Sequence, residues 1–331
     1  MGEIIYDVII LGGAGAGLTA AMYAARRKMK TLLITKDIGG QATGTDRIEN
    51  YPGFQVVTGP KLMQRFQKQA IKSGAEIIFD ETIGVEEKSG EKLFVVKNKN
   101  GEYFGKTIIL SYGKTPRNLN VPGEEKFSSK GISYCASCDA PLFPNKIVAV
   151  VGGGNSAFDA ALLLSKIAKK VYIIHRRGEF RAFEYLFDLV KKQSNVEFIL
   201  NSTIKEIKGE ERVKTAVLQN VETNGEREFQ LDGIFVEIGS DVRTEFVKHL
   251  VKLDERGQVI INNNCETFYP DKDEVRPGIF AAGDLTMTPF KQIVVSAGEG
   301  CKAALQAYNF IHGLKPEFIA DWVAKKNRPK E

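Results

Sequence analysis

A strand, a glycine-rich turn and a helix of small residues follow one another at positions 4–28 and again at 146–168, which predicts an α/β protein of two Rossmann-like domains. Near the C-terminus an apolar strand ends in Gly283-Asp284 and leads into a long small-residue helix. This third feature reads as a return to the first domain, so the second is expected to be inserted into the first.

The first copy has an apolar strand at 4–11, the turn Gly12-Gly13-Ala14-Gly15-Ala16-Gly17, a helix at 18–28 and a second strand at 31–35. The second has a strand at 146–151, the turn Gly152-Gly153-Gly154-Asn155-Ser156-Ala157, a helix ending near 168 and a strand at 171–174. In such turns the first glycine permits the tight bend and the middle one lets the backbone approach a pyrophosphate. The last lets helix and strand pack closely. The helix N-terminus offers N–H groups and partial positive charge to the phosphates. Two such turns in the correct strand-to-helix context predict two dinucleotide-binding domains, which points to a flavin and a nicotinamide. Ala14 stands where the first copy should have its middle glycine, and Gly15 is beside it.

The closing strand at 278–284 precedes a helix expected at 292–311. Asp284 suits a ribityl hydroxyl, and the helix N-terminus suits a phosphate or flavin edge. Hinges are expected at 113–117 and 238–243, after the strand-like runs 107–111 and 234–238. The expected division is therefore 1–115 and 244–331 for the flavin domain, with 116–243 for the nicotinamide domain.

A chain of 331 residues and 36.6 kDa has room for both. Its 43% hydrophobic and 26% charged residues fit a soluble globular protein. A net charge of +5, from 46 basic and 41 acidic residues, is too mild to argue for nucleic acid. The basic tail at 325–330 reads as a solvated end. No apolar stretch reaches the roughly eighteen residues of a membrane span. The N-terminus runs straight into the first strand with no signal-peptide layout, so a cytoplasmic location is expected.

Four cysteines are too few for a secreted disulfide scaffold, and two of them form a C-x-x-C in Ser133-Tyr134-Cys135-Ala136-Ser137-Cys138-Asp139. Thiols at this spacing can close a small disulfide, and such pairs often have a lowered thiol pKa. Asp139 is placed to move a proton to or from a departing thiol if burial raises its pKa. The other reading of C-x-x-C is a zinc site. That needs two more ligands, whereas Cys265 and Cys301 are isolated and the chain has 3 His. Cys265 and Cys301 are expected to be inert small residues.

His175-Arg176-Arg177 ends the second strand of the second copy, and Arg181 follows. A site selective for NAD puts an acid there for the ribose 2′-OH, whereas arginine accommodates a 2′-phosphate. This predicts NADPH.

Together these motifs resemble the low-molecular-weight thioredoxin reductases over nearly the whole chain. The likeness extends to Gly39-Gly40-Gln41, to Glu49-Asn50-Tyr51-Pro52-Gly53, and in part to Lys291-Gln292-Ile293, where the family has Arg-Gln-Ala. The sequence departs from the family at Ala14, at Ser111-Tyr112-Gly113 in place of Ala-Thr-Gly, and at Ala140-Pro141 in place of Gly-aromatic. The resemblance implies a homodimer with FAD, an inserted NADPH domain carrying the redox pair, and thioredoxin or a similar protein disulfide as substrate. It also implies that Cys138 faces the flavin, Cys135 attacks the substrate disulfide and Asp139 is the acid.

The FAD contacts expected on these grounds are Gly12, Gly15, Gly17, Gly39, Gly40, Gln41, Asn50, Gly283, Asp284, Lys291, Gln292 and Ile293. Those expected for NADPH are Gly152, Gly154, Asn155, Ser156, Ala157, His175, Arg176, Arg177 and Arg181. Other readings remain open at this point. One is the flavoprotein component of a peroxide-reducing system, whose extra N-terminal redox domain has no counterpart before the strand at residue 4. Another is a ferredoxin-driven reductase, which the intact arginine set disfavours. The last is a flavin-binding regulatory protein with a silent cysteine pair.

Overall fold

Uninterrupted apolar runs form the parallel strands at the centre of each sheet, as expected of strands covered on both faces. A computed structural model describes residues 4–45, 47–88 and 90–315. The basic tail lies outside these residues. The chain forms two compact units. One comprises the described residues up to Ile38 together with Gln64–Gly113 and those from Thr244 onward; the other comprises Gly39–Met63 and Lys114–Arg243. The segment Gly39–Met63 thus groups with the second unit, although the sequence suggested one continuous first part.

In the first unit the strand Ile5–Gly13 lies between Thr31–Ile38 and Gly101–Leu110, all parallel, with Val8 opposite both Thr31 and Thr107. Glu76–Phe79 extends the sheet beyond Thr31–Ile38, and Val275–Ala281 runs parallel to Gly101–Leu110 on the other side. The strand order therefore reverses beside Ile5–Gly13, and ligands bind at the carboxyl ends of strands at such a switch point.

Helix Gly15–Arg26 begins three residues earlier than the expected start at 18, because Gly15, Ala16 and Gly17 already form its first turn. It packs on helix Ile293–His312 through Ala16, Ala20, Ala24, Ala303, Ala304 and Ala307. The approach is close: a Cβ on Gly300 would lie 2.1 Å from the carbonyl oxygen of Ala16. Small residues at this contact let the two backbones come together.

The second unit repeats the plan, with Ile147–Val151 between Lys170–Ile174 and Gly233–Val236, and Ile132–Ser133 at the far edge. Helix Asn155–Ser165 covers this sheet over an aromatic core. Phe158 is fully buried there, with its ring centroid 4.9 Å from that of Phe180 in an edge-on contact. An antiparallel sheet of Ser202–Gly209, Val213–Asn220 and Glu226–Gln230 completes the unit.

The two expected hinges are more than loops. Thr115 and Pro116 pair with Asp241 and Ser240 as a two-stranded antiparallel ribbon. Arg117 reinforces it, its Nε and Nη2 donating to Asp241 Oδ1 at 2.9 and 2.6 Å.

Candidate active site

Strand Ile132–Ser133 delivers the chain to Cys135, which precedes the short helix Ala136–Asp139. The carbonyl of Cys135 accepts from the backbone N–H groups of Cys138 and Asp139 at 3.2 and 3.1 Å. This single turn brings the cysteines together, and Cys135 and Cys138 are joined in a disulfide with Cα atoms 5.3 Å apart. Both are half-buried. The sulfur of Cys135 lies 3.4 Å from the hydroxyl of exposed Ser137.

Ser133, which the sequence reading did not single out, organises the turn. Its Oγ accepts from the N–H of Cys135 at 3.1 Å and donates to Asp139 Oδ2 at 2.6 Å. Asp139 Oδ1 is buried with no hydrogen-bond partner among the described residues. Burial pushes the Asp139 carboxyl above the usual carboxylate range, and the Ser133 hydroxyl only partly opposes this. The charged form of an acid one residue from Cys138 is thus disfavoured by burial. Burial pushes the carboxyl of Glu237, also passed over, up to about 7, opposed in part by the backbone of Ala136 and the charge of Lys114.

In the first unit the expected residues converge on the glycine-rich turn. Gly12 has φ of 111°, a left-handed conformation that suits glycine. A Cβ on Gly17 would lie 1.8 Å from the carbonyl oxygen of Gly12, so the turn closes only around a bare α-carbon. A Cβ on Gly15 would meet Ile293 at 3.3 Å, and one on Gly283 would meet Ala16 at 3.0 Å. The Gly283-Asp284 turn and the start of helix Ile293–His312 are therefore gathered at the turn. The hydroxyl of Ser296 donates to Asp284 at 3.3 Å.

Glu299 ties these parts together, accepting from the N–H of Gly283 at 2.7 Å and from the Thr288 hydroxyl at 2.5 Å. Lys291 donates to the carbonyl of Thr286 at 2.6 Å, and Gln292 is the residue before the helix. Ala14 takes extended φ and ψ of −111° and −159°, so its methyl group brings no backbone strain.

Gly39, Gly40, Gln41 and Asn50 belong to the segment grouped with the second unit. There Gln41 donates to the carbonyl of Lys114 at 2.7 Å, and Asn50 is exposed.

At the second turn the chain after Ile174 folds back over the glycines. A Cβ on Gly153 would lie 2.3 Å from the His175 ring, and the N–H of Arg181 donates to the carbonyl of Gly153 at 2.8 Å. His175 stacks on Phe180 with centroids 5.3 Å apart. Burial, with Arg176, Arg177 and Arg181 close by, holds its imidazole below the usual range despite an opposing backbone contact at Glu179. The structure thus packs His175 beneath the turn, while Arg176, Arg177 and Arg181 are exposed. The side chain of Asn155 accepts from the N–H of Phe183 at 2.9 Å, Ser156 is exposed and Ala157 is buried. Around Gly154 nothing stands within 4 Å of the place a Cβ would take.

Comparison with known proteins places this arrangement. Residues 6–300 match the family described as pyridine nucleotide-disulphide oxidoreductase. The chain belongs to that family.

A thioredoxin reductase from Peptoclostridium litorale is 39% identical over 323 residues, covering 95% of this chain and 100% of that protein. Crystallised thioredoxin reductase from Streptococcus pyogenes MGAS5005 superposes with a TM-score of 0.88 at 35% identity, over 95% of this chain and 100% of that one. Thioredoxin reductase from Giardia duodenalis gives 0.85 at 32%, over 94% and 100%. The chain is therefore an oxidoreductase of two Rossmann-like domains.

Its departures from the thioredoxin reductase pattern have local explanations. Tyr112 turns its ring onto Phe246, centroids 5.1 Å apart, with its hydroxyl buried and without a partner among the described residues. Ala140 is fully buried, and Pro141 continues the chain into the short helical turn Ala140–Leu142. Burial pushes the Cys265 thiol up to about 12, which makes it a poor nucleophile. No helix among the described residues is long and apolar enough to cross a membrane.

Proposed function

We propose that this chain is an NADPH-dependent thioredoxin-disulfide reductase that passes electrons by way of FAD to Cys135–Cys138. The observation that carries this reading is the half-buried Cys135–Cys138 disulfide beside an acid whose pKa burial raises. The thioredoxin reductases among its relatives supply the substrate, thioredoxin or a similar protein disulfide. A homodimer and a cytoplasmic location belong to the same reading.

The residues present fit two dinucleotides. Neither glycine-rich helix has a side-chain cap on its first turn, and the space beside Gly154 is open. Backbone N–H groups are thus left to meet phosphate oxygens. Gly12, Gly15 and Gly17 would hold the FAD pyrophosphate and Asp284 its ribityl chain. Lys291, Gln292, Ile293, Gly39, Gly40, Gln41 and Asn50 would contact the remainder. Gly152, Gly154, Asn155, Ser156 and Ala157 would hold the NADPH pyrophosphate. Arg176, Arg177 and Arg181, with His175 beneath, would surround the 2′-phosphate. When bound, FAD supplies two-electron transfer between a nicotinamide and a disulfide.

The protein's own steps follow from thiol–disulfide chemistry. The thiolate of Cys135 attacks one sulfur of the partner disulfide, forming a mixed disulfide and releasing the other sulfur. Cys138 then attacks Cys135, restoring the Cys135–Cys138 bond and leaving the partner with two electrons and two protons more. Asp139, whose pKa burial raises, would hold and return the proton beside Cys138.

The test is the absorption spectrum of purified protein before and after NADPH, followed by turnover with thioredoxin. Yellow protein that bleaches with NADPH is expected. Cys135→Ser and Cys138→Ser should each abolish disulfide reduction while sparing flavin reduction, and Cys265→Ser should change little. Colourless protein unable to take up FAD, or equal loss in Cys265→Ser, would sink the reading.

A further inference from the structure

An acid that holds a proton in one half of the thiol–disulfide cycle and releases it in the other needs, when buried, a hydrogen-bond partner for each state. Among the described residues the Asp139 carboxyl has one such partner, Ser133. Its Oδ2 accepts from the serine hydroxyl at 2.6 Å, while Oδ1 is buried and has none. Ser133 is itself buried, on the strand Ile132–Ser133 that pairs with Gly233–Val236. The sheet fixes its backbone and burial its side chain, which leaves the hydroxyl hydrogen as the part that turns.

That hydrogen has two acceptors within reach. One is Asp139 Oδ2; the other is the carbonyl oxygen of Cys135, 3.3 Å from Ser133 Oγ. Ser133 Oγ also accepts the N–H of Cys135 at 3.1 Å. A hydroxyl has one hydrogen and two lone pairs, so it gives to one acceptor at a time and takes up to two donors. With Asp139 ionised, the shorter, charge-assisted bond to Oδ2 wins. With Asp139 neutral, the acid proton belongs on Oδ2, because on Oδ1 it would be a buried donor with no acceptor. It then donates to Ser133 Oγ, and the serine hydrogen turns to the Cys135 carbonyl. That carbonyl already accepts from the N–H groups of Cys138 and Asp139 at 3.2 and 3.1 Å, so it loses little when the hydrogen turns back.

We propose that Ser133 is a positioning residue that serves Asp139 in both protonation states, donating to Oδ2 when the carboxyl is ionised and accepting from it when the carboxyl is neutral. This rests on the reading of Cys135–Cys138 as the redox pair and Asp139 as its acid. No electron passes through Ser133. When Cys138 attacks the mixed disulfide, the Cys135–Cys138 bond forms, the bond from Cys135 to the partner breaks and the partner sulfur leaves. The proton of Cys138 ends on Asp139 Oδ2 while the serine hydrogen turns to the Cys135 carbonyl. The hydroxyl favours the ionised carboxyl and burial the neutral one. Other titratable groups stand on the elements around this turn. They are Tyr134, whose hydroxyl donates to Glu124 at 2.8 Å, Asp159 on helix Asn155–Ser165, Glu237 after Gly233–Val236 and, once the pair is reduced, the two thiols.

The experiment reduces the purified protein with dithiothreitol, removes the reductant, adds hydroxyethyl disulfide and follows closure of Cys135–Cys138 by alkylation and mass. Wild type is compared across pH with Ser133→Ala, Ser133→Thr, Asp139→Asn and the double variant Ser133→Ala with Asp139→Asn. Without the hydroxyl the carboxyl keeps its proton to higher pH. Ser133→Ala should therefore close more slowly on the acid side by on the order of tenfold, the effect of one hydrogen bond to a charged group. The deficit should shrink as pH rises. Ser133→Thr, which keeps the hydroxyl, should restore the wild-type profile. On the Asp139→Asn background the serine change should add less than about twofold.

A deficit equal at every pH, or one that returns in full on Asp139→Asn, means that the serine only holds the Cys135 backbone, and overturns the proposal. So does a pH dependence that vanishes in Glu237→Gln and survives in Asp139→Asn. If Ser133→Ala does not fold, infrared titration of wild type decides. The acid band that Asp139→Asn removes must be that of a hydrogen-bonded carboxyl, and a free-acid band rejects the role of Ser133. Dithiothreitol and the small disulfide bypass both the nicotinamide and thioredoxin. If the protein fails to reduce thioredoxin with NADPH while the Ser133 pattern holds, the functional reading falls and the role of Ser133 stands. A protein that turns over thioredoxin without that pattern sinks the role of Ser133 alone.

Discussion

The two glycine-rich turns share a sequence pattern, but different neighbours surround them. At the first, a Cβ on Gly17 would meet the Gly12 carbonyl at 1.8 Å, and the helix behind it packs alanine to alanine against Ile293–His312. At the second, Gly154 has open space around it, and its helix rests through Phe158 on the rings of Phe180, Phe187 and Phe198. Glycine at the first turn is chiefly a packing requirement; at Gly154 it leaves room for something to approach. One motif thus serves two physical needs, and the spacing of glycines does not say which.

The largest test of this contrast is Gly17→Ala. The added methyl group meets backbone, which cannot rotate away. Loss of more than about 4 kcal/mol, or failure of the first unit to fold, is expected in denaturant unfolding. A variant with wild-type stability would show that the close approach at Gly12 relaxes freely.

The second unit offers a pH-dependent counterpart. Glu237 has its carboxyl raised from 4.5 to about 7 by burial, so between those values the folded protein keeps a proton that the unfolded chain has lost. Stability should therefore fall as pH rises through that window, by on the order of 3 kcal/mol. In Glu237→Gln this part of the slope should disappear. An unchanged slope in the variant would assign the titration to another group.

Arg176 and Arg181 test the second turn as a ligand site. Replacing both with Ala should erase most of a preference for NADPH over NADH, on the order of a hundred-fold in kcat/KM, with little change for NADH. Equal use of the two nucleotides by the unmodified protein would make these arginines a solvated basic face.

The smallest effect is expected at Gly154→Ala. With nothing within 4 Å and an extended backbone, stability should change by less than about 0.5 kcal/mol. NADPH should bind more weakly, because the new methyl group projects into the open space. A large loss of stability instead would make both turns packing devices and end the contrast.

Much of the plan was legible in the chain. Apolar runs at 4–11 and 146–151 ending in glycines give strand-turn-helix units, because buried parallel strands need continuous hydrophobicity and the bend needs glycine. Cys135 and Cys138 were legible for a local reason: a single helical turn brings residues at that spacing together. The ribbon of Thr115–Pro116 and Ser240–Asp241 was not, since its partners are far apart in sequence and two-residue strands carry no periodicity. The grouping of Gly39–Met63 with the second unit escaped for a similar reason, as did Glu299, whose role depends on contact with Gly283 and Thr288.

By itself the sequence determined the two strand-turn-helix units, the cysteine pair and the arginines at the second turn. These rest on short-range patterns: glycine spacing, apolar runs and residues a few positions apart. The tertiary structure alone decided which acids have raised pKa values. Asp139 and Glu237 carry no mark of it in their neighbours along the chain. Their pKa values rise because sheet and helix close around them and exclude the water that would stabilise their charge.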